Sequence, residues 1–298
     1  MSLRVGNAPC SYGAFEVTVG VYPNVPGPEE LLAAVSDAGY KGIELGPPGY
    51  LGEGDQLRER LDRYGLELTG GWCPVRFSEP AHLDEDLRGM EFTLDHFDAA
   101  GAWNARPVFG DGGSPERRAN PGRGGPSLDE AGWKSWADGV KRAQEVAQAR
   151  GFTPTLHPHT ATYIESKAEI ERALELTDLG LLVDTGHLLL GGTDPIELLR
   201  DHGDRVNYVH VKDVRLDVVR QIIEERADVI EGWRRGMFTE LGHGDVDLPA
   251  FFDALRLAGY DGWVVVEQDR IPREDEELRE SAEAQVRNRE WLRRHVGI

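Results

Sequence analysis

The sequence predicts a single (β/α)8 TIM barrel over residues 1–298, with a helical insertion after the seventh strand. Short apolar segments alternate with longer amphipathic segments about eight times, and this alternation is typical of parallel strands joined by helices. Several amphipathic segments end in glycine just before an apolar one, as in DAGYKGIEL and LAGYDGWVVVE, where glycine supplies a left-handed helix cap. Because no GxGxxG segment opens a helix, these units favour a closed barrel over an open dinucleotide-binding sheet.

The predicted strands are the apolar segments that remain between the helical ones. The helical segments include PEELLAAVSDAG, LRERLDRYG, SLDEAGWKSWADGVKRAQEVAQARG and DPIELLRDHG. The strands are expected at residues 4–9, 42–45, 66–72, 106–109, 153–157, 181–184, 206–211 and 263–267. Nothing between these units indicates a domain boundary, so a single domain is expected.

Two segments depart from the regular alternation. Residues 110–125, GDGGSPERRANPGRGG, are expected to form a long, mobile, solvated loop after strand four, and a phosphate contact by Arg117, Arg118 or Arg123 is the weaker alternative. Residues 213–245 form the insertion after strand seven and contain one predicted amphipathic helix, LDVVRQIIEERADVIEGWRRG. Insertions after barrel strands cap the mouth of the active site.

The charge balance limits the partners that the protein can bind. Asp and Glu outnumber Lys and Arg by 53 to 33, which gives a net charge of -20. Nucleic acids and anionic membranes are bound mainly by Lys and Arg, so this balance disfavours both as partners. The charge balance does not exclude a small neutral substrate, since a solvated acidic surface is common in proteins.

The sequence carries no sign of a membrane or an oxidising compartment. No apolar run approaches the roughly 20 residues that a membrane-spanning helix needs, and the first residues, MSLRVGNAPCSYG, lack the apolar stretch of a signal peptide. A cytoplasmic location is therefore expected. The two cysteines, Cys10 and Cys73, are too few and too distant for a disulfide framework, so reduced, buried thiols are expected.

Four consecutive predicted strands, five to eight, end in imidazole or carboxylate side chains. In LHPHT, LLVDTGH, VNYVHVKD and WVVVEQD these polar residues are His157, His159, Asp184, His187, His210, Lys212 and Glu267. The carboxyl ends of barrel strands converge on one place, and buried charges there are costly unless they are paired or bind a metal. Nitrogen and oxygen donors suit Mn²⁺, Co²⁺, Mg²⁺ or Zn²⁺. We therefore expect one divalent metal ion, with Asp184, His210 and Glu267 as its surest ligands.

Strand five offers two histidines for the fourth ligand position. Thr155, His157 and His159 lie on one face of the strand, because side chains alternate with a period of two. We expect His157 to be the ligand and His159 to contact the substrate or to act as an acid or base. The two roles could be exchanged.

Two further residues of strands six and seven are candidates for catalysis. His187, three residues after Asp184, could contact substrate or orient the carboxylate. Lys212 should face the same side as His210, where it could hold a substrate oxygen or move a proton if burial lowers its pKa. A surface lysine is the alternative for Lys212.

Three more residues are candidates for substrate binding. Glu44 ends strand two and could hydrogen-bond the substrate or support a metal ligand; a structural role is equally open. Trp72 ends strand three and could form an apolar wall against a sugar ring, or belong to the core. Glu165 precedes a helix, where it could contact substrate or simply favour the helix dipole.

These segments resemble the sugar phosphate isomerase/epimerase superfamily of xylose isomerase-like barrels, and within it the inosose (2-keto-myo-inositol) dehydratases. The resemblance lies in LHPHTATYIE, LVDTGHLLLGGTDPIELL, VHVKDVR and GHGDVDLPAFFDALRLAGYDGWVVVEQD, and it extends to APCSYG and GYKGIELG near the start. It implies that His157, Asp184, His210 and Glu267 hold a metal ion. Many epimerases of the superfamily carry glutamate where His157 stands, so the resemblance favours the dehydratase branch over a two-glutamate epimerase.

The chemistry implied is removal of a proton beside the carbonyl of a small polyhydroxy substrate. His159, His187 or Lys212 would take that proton. Loss of a neighbouring hydroxyl makes the enzyme a dehydratase, and reprotonation makes it an isomerase or epimerase, which is the alternative. A DNA-repair endonuclease is disfavoured by the acidic charge, and a non-catalytic sugar-binding protein by the intact ligand set. A homo-oligomer is a further expectation.

Overall fold

The predicted alternation of strands and helices is present in the structure, a computed structural model that describes residues 3–122, 125–273 and 278–298. In these ranges nine strands form the main sheet, and two more form a small antiparallel sheet outside it. In chain order the strands are β1 (Arg4–Asn7), β2 (Gly42–Ile43), β3 (Glu67–Leu68), β4 (Gly70–Val75), β5 (Arg106–Asp111), β6 (Thr155–Leu156), β7 (Gly180–Asp184), β8 (Val206–Val211), β9 (Asp213–Val214), β10 (Phe238–Thr239) and β11 (Trp263–Val266).

The main sheet closes into a barrel at Thr69. Its strand order is β3-β2-β1-β11-β8-β7-β6-β5-β4, with all neighbours parallel. The two outermost strands, β3 and β4, are one chain segment interrupted only at Thr69. The Thr69 amide donates to the carbonyl of Ile43 at 2.9 Å, and its carbonyl accepts from the amide of Arg106 at 3.0 Å. The segment thus joins both edges, and the predicted eight-stranded barrel is confirmed.

Helices surround the barrel and several end as the glycines predict. Gly39 and Gly65 follow the first two helices with φ of 89° and 61°, the left-handed conformation that glycine adopts without steric cost. No helix in the described part of the chain is long and apolar enough to cross a bilayer. The helices are α1 (Pro28–Ala38), α2 (Gly54–Tyr64), α3 (Pro80–Ala100), α4 (Pro115–Arg118), α5 (Glu130–Ala149), α6 (Lys167–Leu176), α7 (Thr185–Leu190), α8 (Pro195–His202), α9 (Leu216–Glu225), α10 (Val229–Arg234), α11 (Leu248–Leu257) and α12 (Leu278–His295).

Apolar side chains pack in two layers because successive strand residues point to opposite faces of the sheet. The larger layer lies between strands and helices and includes Val209, Val264 and Leu292. The smaller layer fills the barrel interior with side chains of Ala8, Val108, Leu182, Tyr208, Trp263 and Val265. The interior is therefore a packed core, and the carboxyl ends of the strands are left for a site.

The insertion after β8 differs from the single helix that the sequence predicts. It contains two short helices, α9 and α10, because Arg226 adopts φ of 55° and ends the first. The carboxylate of Asp228 then accepts a hydrogen bond from the amide of Glu231 and begins the second. The prediction of one continuous helix is wrong, since amphipathic spacing continues across this break.

The GHGDVD segment anchors the end of this insertion. The buried carboxylate of Asp213 accepts hydrogen bonds from the amides of Gly242, Gly244 and Val246 at 2.9, 2.9 and 3.2 Å. A Cβ on Gly244 would lie 2.2 Å from an oxygen of Asp213, so glycine is required for this close approach. The segment therefore has a structural role that closes the insertion.

The loop after β5 is anchored by one buried side chain, that of Arg117, and is not solvated throughout. It contains α4, and the side chain of Arg117 is fully buried. Its guanidinium pairs with Glu169 and donates to the carbonyl of Thr162 at 2.7 Å. The expectation of a solvated loop, and of a phosphate contact, is therefore wrong at Arg117. Arg123, another candidate for that contact, lies outside the described residues.

Candidate active site and metal centre

A cavity of about 190 Å³ lies at the carboxyl ends of the barrel strands. Five of the predicted metal-ligand and catalytic residues contribute to its wall: His157, His159, His210, Lys212 and Glu267. Glu44 and Trp72 also line it. The volume is below the roughly 300–1,000 Å³ of pockets for drug-sized ligands, so the cavity suits a small molecule.

The four predicted metal ligands converge beside this cavity. Nδ1 of His210 lies 3.2 Å from Oε2 of Glu267 and 3.7 Å from Oδ2 of Asp184. Nε2 of His157 lies 3.9 Å from the same Asp184 oxygen. Ligands bound at about 2.0–2.2 Å to one ion lie roughly 3–3.5 Å from each other. Atoms of His157, Asp184 and His210 therefore lie close enough together to share one metal ion, and Glu267 lies beside His210.

The end of β7 aims one oxygen of Asp184 into this cluster. Oδ1 accepts hydrogen bonds from the amides of Gly186 and His187, both at 2.9 Å, and so caps helix α7. Oδ2 is buried and has no hydrogen-bond partner within the described ranges, although Nζ of Lys212 forms an ion pair with it at 3.4 Å. A buried carboxylate oxygen left without hydrogen bonds is costly, and the lone pairs of Oδ2 remain available to a metal ion.

The two histidine ligands each have their other ring nitrogen engaged. Nδ1 of His157 lies 2.8 Å from the carbonyl of Pro158 and donates to it, which leaves the Nε2 lone pair for a metal. Burial lowers the pKa of His157 and keeps its ring neutral. Burial also opposes protonation of His210, but Glu267 and Glu44 outweigh it and raise the pKa of His210. A metal ion at Nδ1 would replace that proton.

Lys212 is a buried ammonium that donates hydrogen bonds to His187 and Asp269 and forms an ion pair with Glu267. Its Nζ lies 3.0 Å from Oε2 of Glu267, from Oδ2 of Asp269 and from Nε2 of His187. Burial lowers the pKa of Lys212, but Asp184, Asp269 and Glu267 raise it by more, so the net shift is upward. The hypothesis of a lowered pKa is wrong for this reason, and so is the alternative of a surface lysine, since only 1% of Lys212 is exposed.

His159 presents a free imidazole nitrogen next to the cavity. Its Nδ1 lies 2.8 Å from the carbonyl of Thr160 and donates to it. Its Nε2 forms no hydrogen bond among the residues that the structure describes. Burial and then the charge of Lys212 lower the pKa of His159 to about 4. The neutral ring can therefore accept a proton at Nε2.

His187 lies behind Lys212 and does not line the cavity. Its Nε2 accepts from the ammonium of Lys212, so its Nδ1 carries the proton and donates to Oγ1 of Thr160 at 2.9 Å. The structure therefore does not bring His187 to the substrate, and its side chain orients Lys212.

Of the three predicted substrate-binding residues, Trp72 and Glu44 line the cavity and Glu165 does not. Trp72 forms a wall of the cavity and packs at 5.6 and 5.2 Å, ring to ring, against His157 and His159. Glu44 lines the cavity, but its Oε1 lies 2.9 Å from Nε2 of His210. Glu165 does not line the cavity, because its Oε1 accepts from the amides of Gly122 and Ala161. The structure therefore places Glu165 away from the cavity, where its carboxylate fastens two loops.

Comparison with known proteins identifies the family. Residues 32–295 match the family model of the xylose isomerase-like TIM barrel. The chain belongs to the xylose isomerase-like TIM barrel family. The inosose dehydratase of Geobacillus kaustophilus (strain HTA426) is 35% identical over 287 residues, which covers 90% of this chain and 88% of that protein.

Solved structures of this xylose isomerase-like TIM barrel type share the fold of the chain. The IolI protein, whose structure holds a zinc atom, matches with a TM-score of 0.72 and 15% identity over 99% of this chain and 100% of that one. A D-allulose 3-epimerase from Methylomonas sp. in complex with D-allulose matches with a TM-score of 0.69 and 17% identity over 99% and 97%. At these identities the likeness shows the fold alone.

The site of this xylose isomerase-like barrel includes residues that the sequence analysis missed. Asp269 lines the cavity and pairs with Lys212; its position two residues after Glu267 was the available signal. Phe15 and Trp233 also line the cavity and stack with ring centroids 5.1 Å apart. No local pattern joins residues so distant in sequence. The stack connects the insertion to the β1 loop and covers one side of the cavity.

Proposed function

We propose that this protein is a divalent-metal-dependent inosose dehydratase, a lyase that removes water from a keto-inositol. The observation that carries the proposal is the convergence of the imidazoles of His157 and His210 on the buried Oδ2 of Asp184, with the carboxylate of Glu267 beside His210. The inosose dehydratase that is 35% identical over 90% of the chain supports the choice of reaction.

His157, Asp184, His210 and Glu267 would hold the metal ion. A bound divalent ion polarises a carbonyl oxygen and stabilises the negative charge that develops on it. Two imidazole nitrogens among the donors favour Mn²⁺, Co²⁺ or Zn²⁺, and Mg²⁺ less, because Mg²⁺ prefers oxygen ligands and water.

Two groups at the cavity serve the proton steps. Nε2 of His159 is neutral and unpaired, so it takes the proton from the carbon beside the carbonyl. The electron pair of that bond forms the new carbon–carbon double bond, and a hydroxyl group leaves from the next carbon. Lys212 holds the departing oxygen with a charged hydrogen bond and delivers the proton that completes the water molecule. Asp269 and His187 keep the ammonium in place.

The charges of the cavity wall favour a substrate without phosphate. Among its described lining residues the carboxylates are those of Glu16, Glu44, Glu267 and Asp269, and Lys212 supplies the one ammonium. Phosphate groups are usually held by several arginines or lysines, so this wall would repel a sugar phosphate. Trp72 offers a flat face of the kind that packs on a sugar or cyclitol ring.

Turnover of paired substrates tests the proposal. Protein freed of metal and then reloaded with Mn²⁺, Co²⁺ or Zn²⁺ is incubated with a keto-inositol or with D-allulose, and products are identified by mass spectrometry. We expect the keto-inositol to lose one water in a metal-dependent reaction. A product of unchanged mass from either compound would instead establish the isomerase or epimerase alternative, and absence of any turnover would refute both.

A His159→Gln protein is expected to lose about 100-fold or more in kcat, because general base catalysis typically contributes 10²–10⁴-fold. Its metal affinity should stay within about threefold of the wild type, since Nε2 of His159 is not a ligand. Deuterium uptake from D2O beside the substrate carbonyl is measured along with turnover, and both should fall together. The exposed His243 provides the control, His243→Gln. Wild-type exchange in the His159 variant would reject this base.

A Trp233→Ala protein is expected to raise KM by about tenfold with little change in kcat. The substitution removes half of the stack that covers the cavity, which weakens substrate and transition state alike. Trp103, which is 60% exposed and does not line the cavity, supplies the control Trp103→Ala. Steady-state kinetics of the two variants provide the comparison, and equal KM values would show that the stack does not contact substrate.

A further inference from the structure

Glu44 takes part in a buried hydrogen-bond chain that ends at the metal centre. The hydroxyl of Tyr208 lies 2.9 Å from Oγ1 of Thr69 and 2.9 Å from Oε1 of Glu44. The same Glu44 oxygen lies 2.9 Å from Nε2 of His210. All four residues are buried. Tyr208 and His210 are two residues apart on β8 and therefore face the same side of the strand.

The chemistry of these groups determines which nitrogen of His210 faces the metal centre. An ionised carboxylate only accepts hydrogen bonds, so Nε2 of His210 donates to Glu44. Once a metal ion has replaced the second ring proton, the imidazole has a single N–H, which leaves the lone pair on Nδ1. Nδ1 is buried without a hydrogen-bond partner in the described part of the chain, and it lies 3.2 Å from Glu267 and 3.7 Å from Asp184.

The surroundings of Glu44 fit this orienting role better than substrate contact. Its Oε1 already receives two donors, one from Tyr208 and one from His210. Gly70 allows the arrangement, because a Cβ there would lie 3.2 Å from that oxygen and 3.0 Å from the Tyr208 hydroxyl. Both distances are tighter than ordinary van der Waals contact.

We infer that Glu44 is a positioning residue of the metal centre: with Tyr208 it holds His210 so that Nε2–H donates and the Nδ1 lone pair faces the metal ion. This inference rests on the metal centre of the proposed function and does not depend on which substrate is turned over. Partners of this kind orient the ring and raise the basicity of the ligand nitrogen, and their removal typically lowers metal affinity 10–100-fold.

Metal binding to the full-length protein tests the inference without any assay of activity. Dissociation constants for Mn²⁺ and Co²⁺ are measured after chelator dialysis for the wild type, Glu44→Gln, Tyr208→Phe and Glu16→Gln. Glu16→Gln is the matched control, since it removes a cavity carboxylate for which the described part of the chain shows no hydrogen bond or ion pair with His210. We expect Glu44→Gln to weaken binding by 10–100-fold. Tyr208→Phe should weaken it less, by severalfold, and Glu16→Gln should have the smallest effect.

Nitrogen-15 spectra of the histidine rings in Zn²⁺-loaded protein supply a second readout. They should assign the ring proton of His210 to Nε2 in the wild type. Equal metal affinities for Glu44→Gln and Glu16→Gln, or a proton on Nδ1 of His210, would overturn the inference. Failure of the wild type to bind metal would instead refute the metal centre itself. Tyr208→Phe keeps the ring in the barrel core, so it remains informative if Glu44→Gln fails to fold.

Discussion

An Asp184→Asn protein is expected to lose its metal ion and about 1,000-fold or more in kcat/KM. Oδ2 of Asp184 lies within 3.9 Å of nitrogens of both histidine ligands, and it is buried without a hydrogen bond among the described residues. Asparagine keeps an oxygen that can cap α7, but it removes the negative charge that holds the cation. Loss of a metal that supplies several kcal/mol of charge stabilisation corresponds to at least three orders of magnitude in rate.

Metal content by elemental analysis and steady-state kinetics measure this loss. Asp194 offers a matched control, because its carboxylate also caps a helix, α8, by accepting from the amide of Ile196 at 2.8 Å. Asp194→Asn should keep full metal content and activity. Full metal content and activity in Asp184→Asn would show that the ligand assignment is wrong. Loss of metal and activity in both variants would instead indicate that the substitutions damage folding.

Much of the barrel and the positions of its strand ends could be predicted because both depend on local patterns. Alternating apolar and amphipathic segments reflect burial against a layer of helices, and polar residues at strand ends need no knowledge of distant contacts. The extents of some strands were harder to predict. Strand β6 covers only Thr155–Leu156, since the amide of His159 bonds instead to the carbonyl of Ile164 within the loop.

Contacts between distant segments could not be predicted from one sequence. Glu44 and His210 are 166 residues apart, and their hydrogen bond depends on the closure of the barrel. The direction of the pKa shift of Lys212 depends on contacts of the same kind, because burial alone lowers the pKa of a lysine, while three carboxylates from other parts of the chain raise it. Asp269, by contrast, could have been found from its spacing of two residues from Glu267.

The most consequential of these distant contacts is the buried ion pair of Arg117. Its guanidinium meets both carboxylate oxygens of Glu169 and lies 3.9 Å from Oε2 of Glu165. It also donates to the carbonyl of Thr162, whose own hydroxyl donates to the carbonyl of His159. One side chain therefore joins the loop after β5 to the loop that carries the proposed base.

An Arg117→Met protein is expected to lose about 3–5 kcal/mol in free energy of unfolding. Methionine fills part of the space but leaves Glu169 buried without its cation, and removal of one partner of a buried ion pair typically has this cost. Chemical denaturation followed by circular dichroism measures the difference. The neighbouring Arg118 supplies the control, because its side chain is exposed and, among the contacts described, donates only to the carbonyl of Gly112. Arg118→Met should change stability by less than about 0.5 kcal/mol.

The pH dependence of this loss separates a charge effect from a packing effect. In the wild type, burial raises the pKa of Glu169, but hydrogen bonds from Arg117 and Ser166 lower it by more. The pKa of Glu169 therefore lies below its ordinary value of 4.5. A lowered carboxyl pKa contributes stability above the unfolded pKa and loses it as the pH falls through the folded pKa. Without Arg117, burial should raise the pKa of Glu169, because the neutral acid is less costly to bury than the carboxylate.

The difference in free energy of unfolding between wild type and Arg117→Met should therefore be largest near pH 7 and shrink towards pH 4. A constant difference across this range would mean that lost packing, and not the unpaired carboxylate, destabilises the variant.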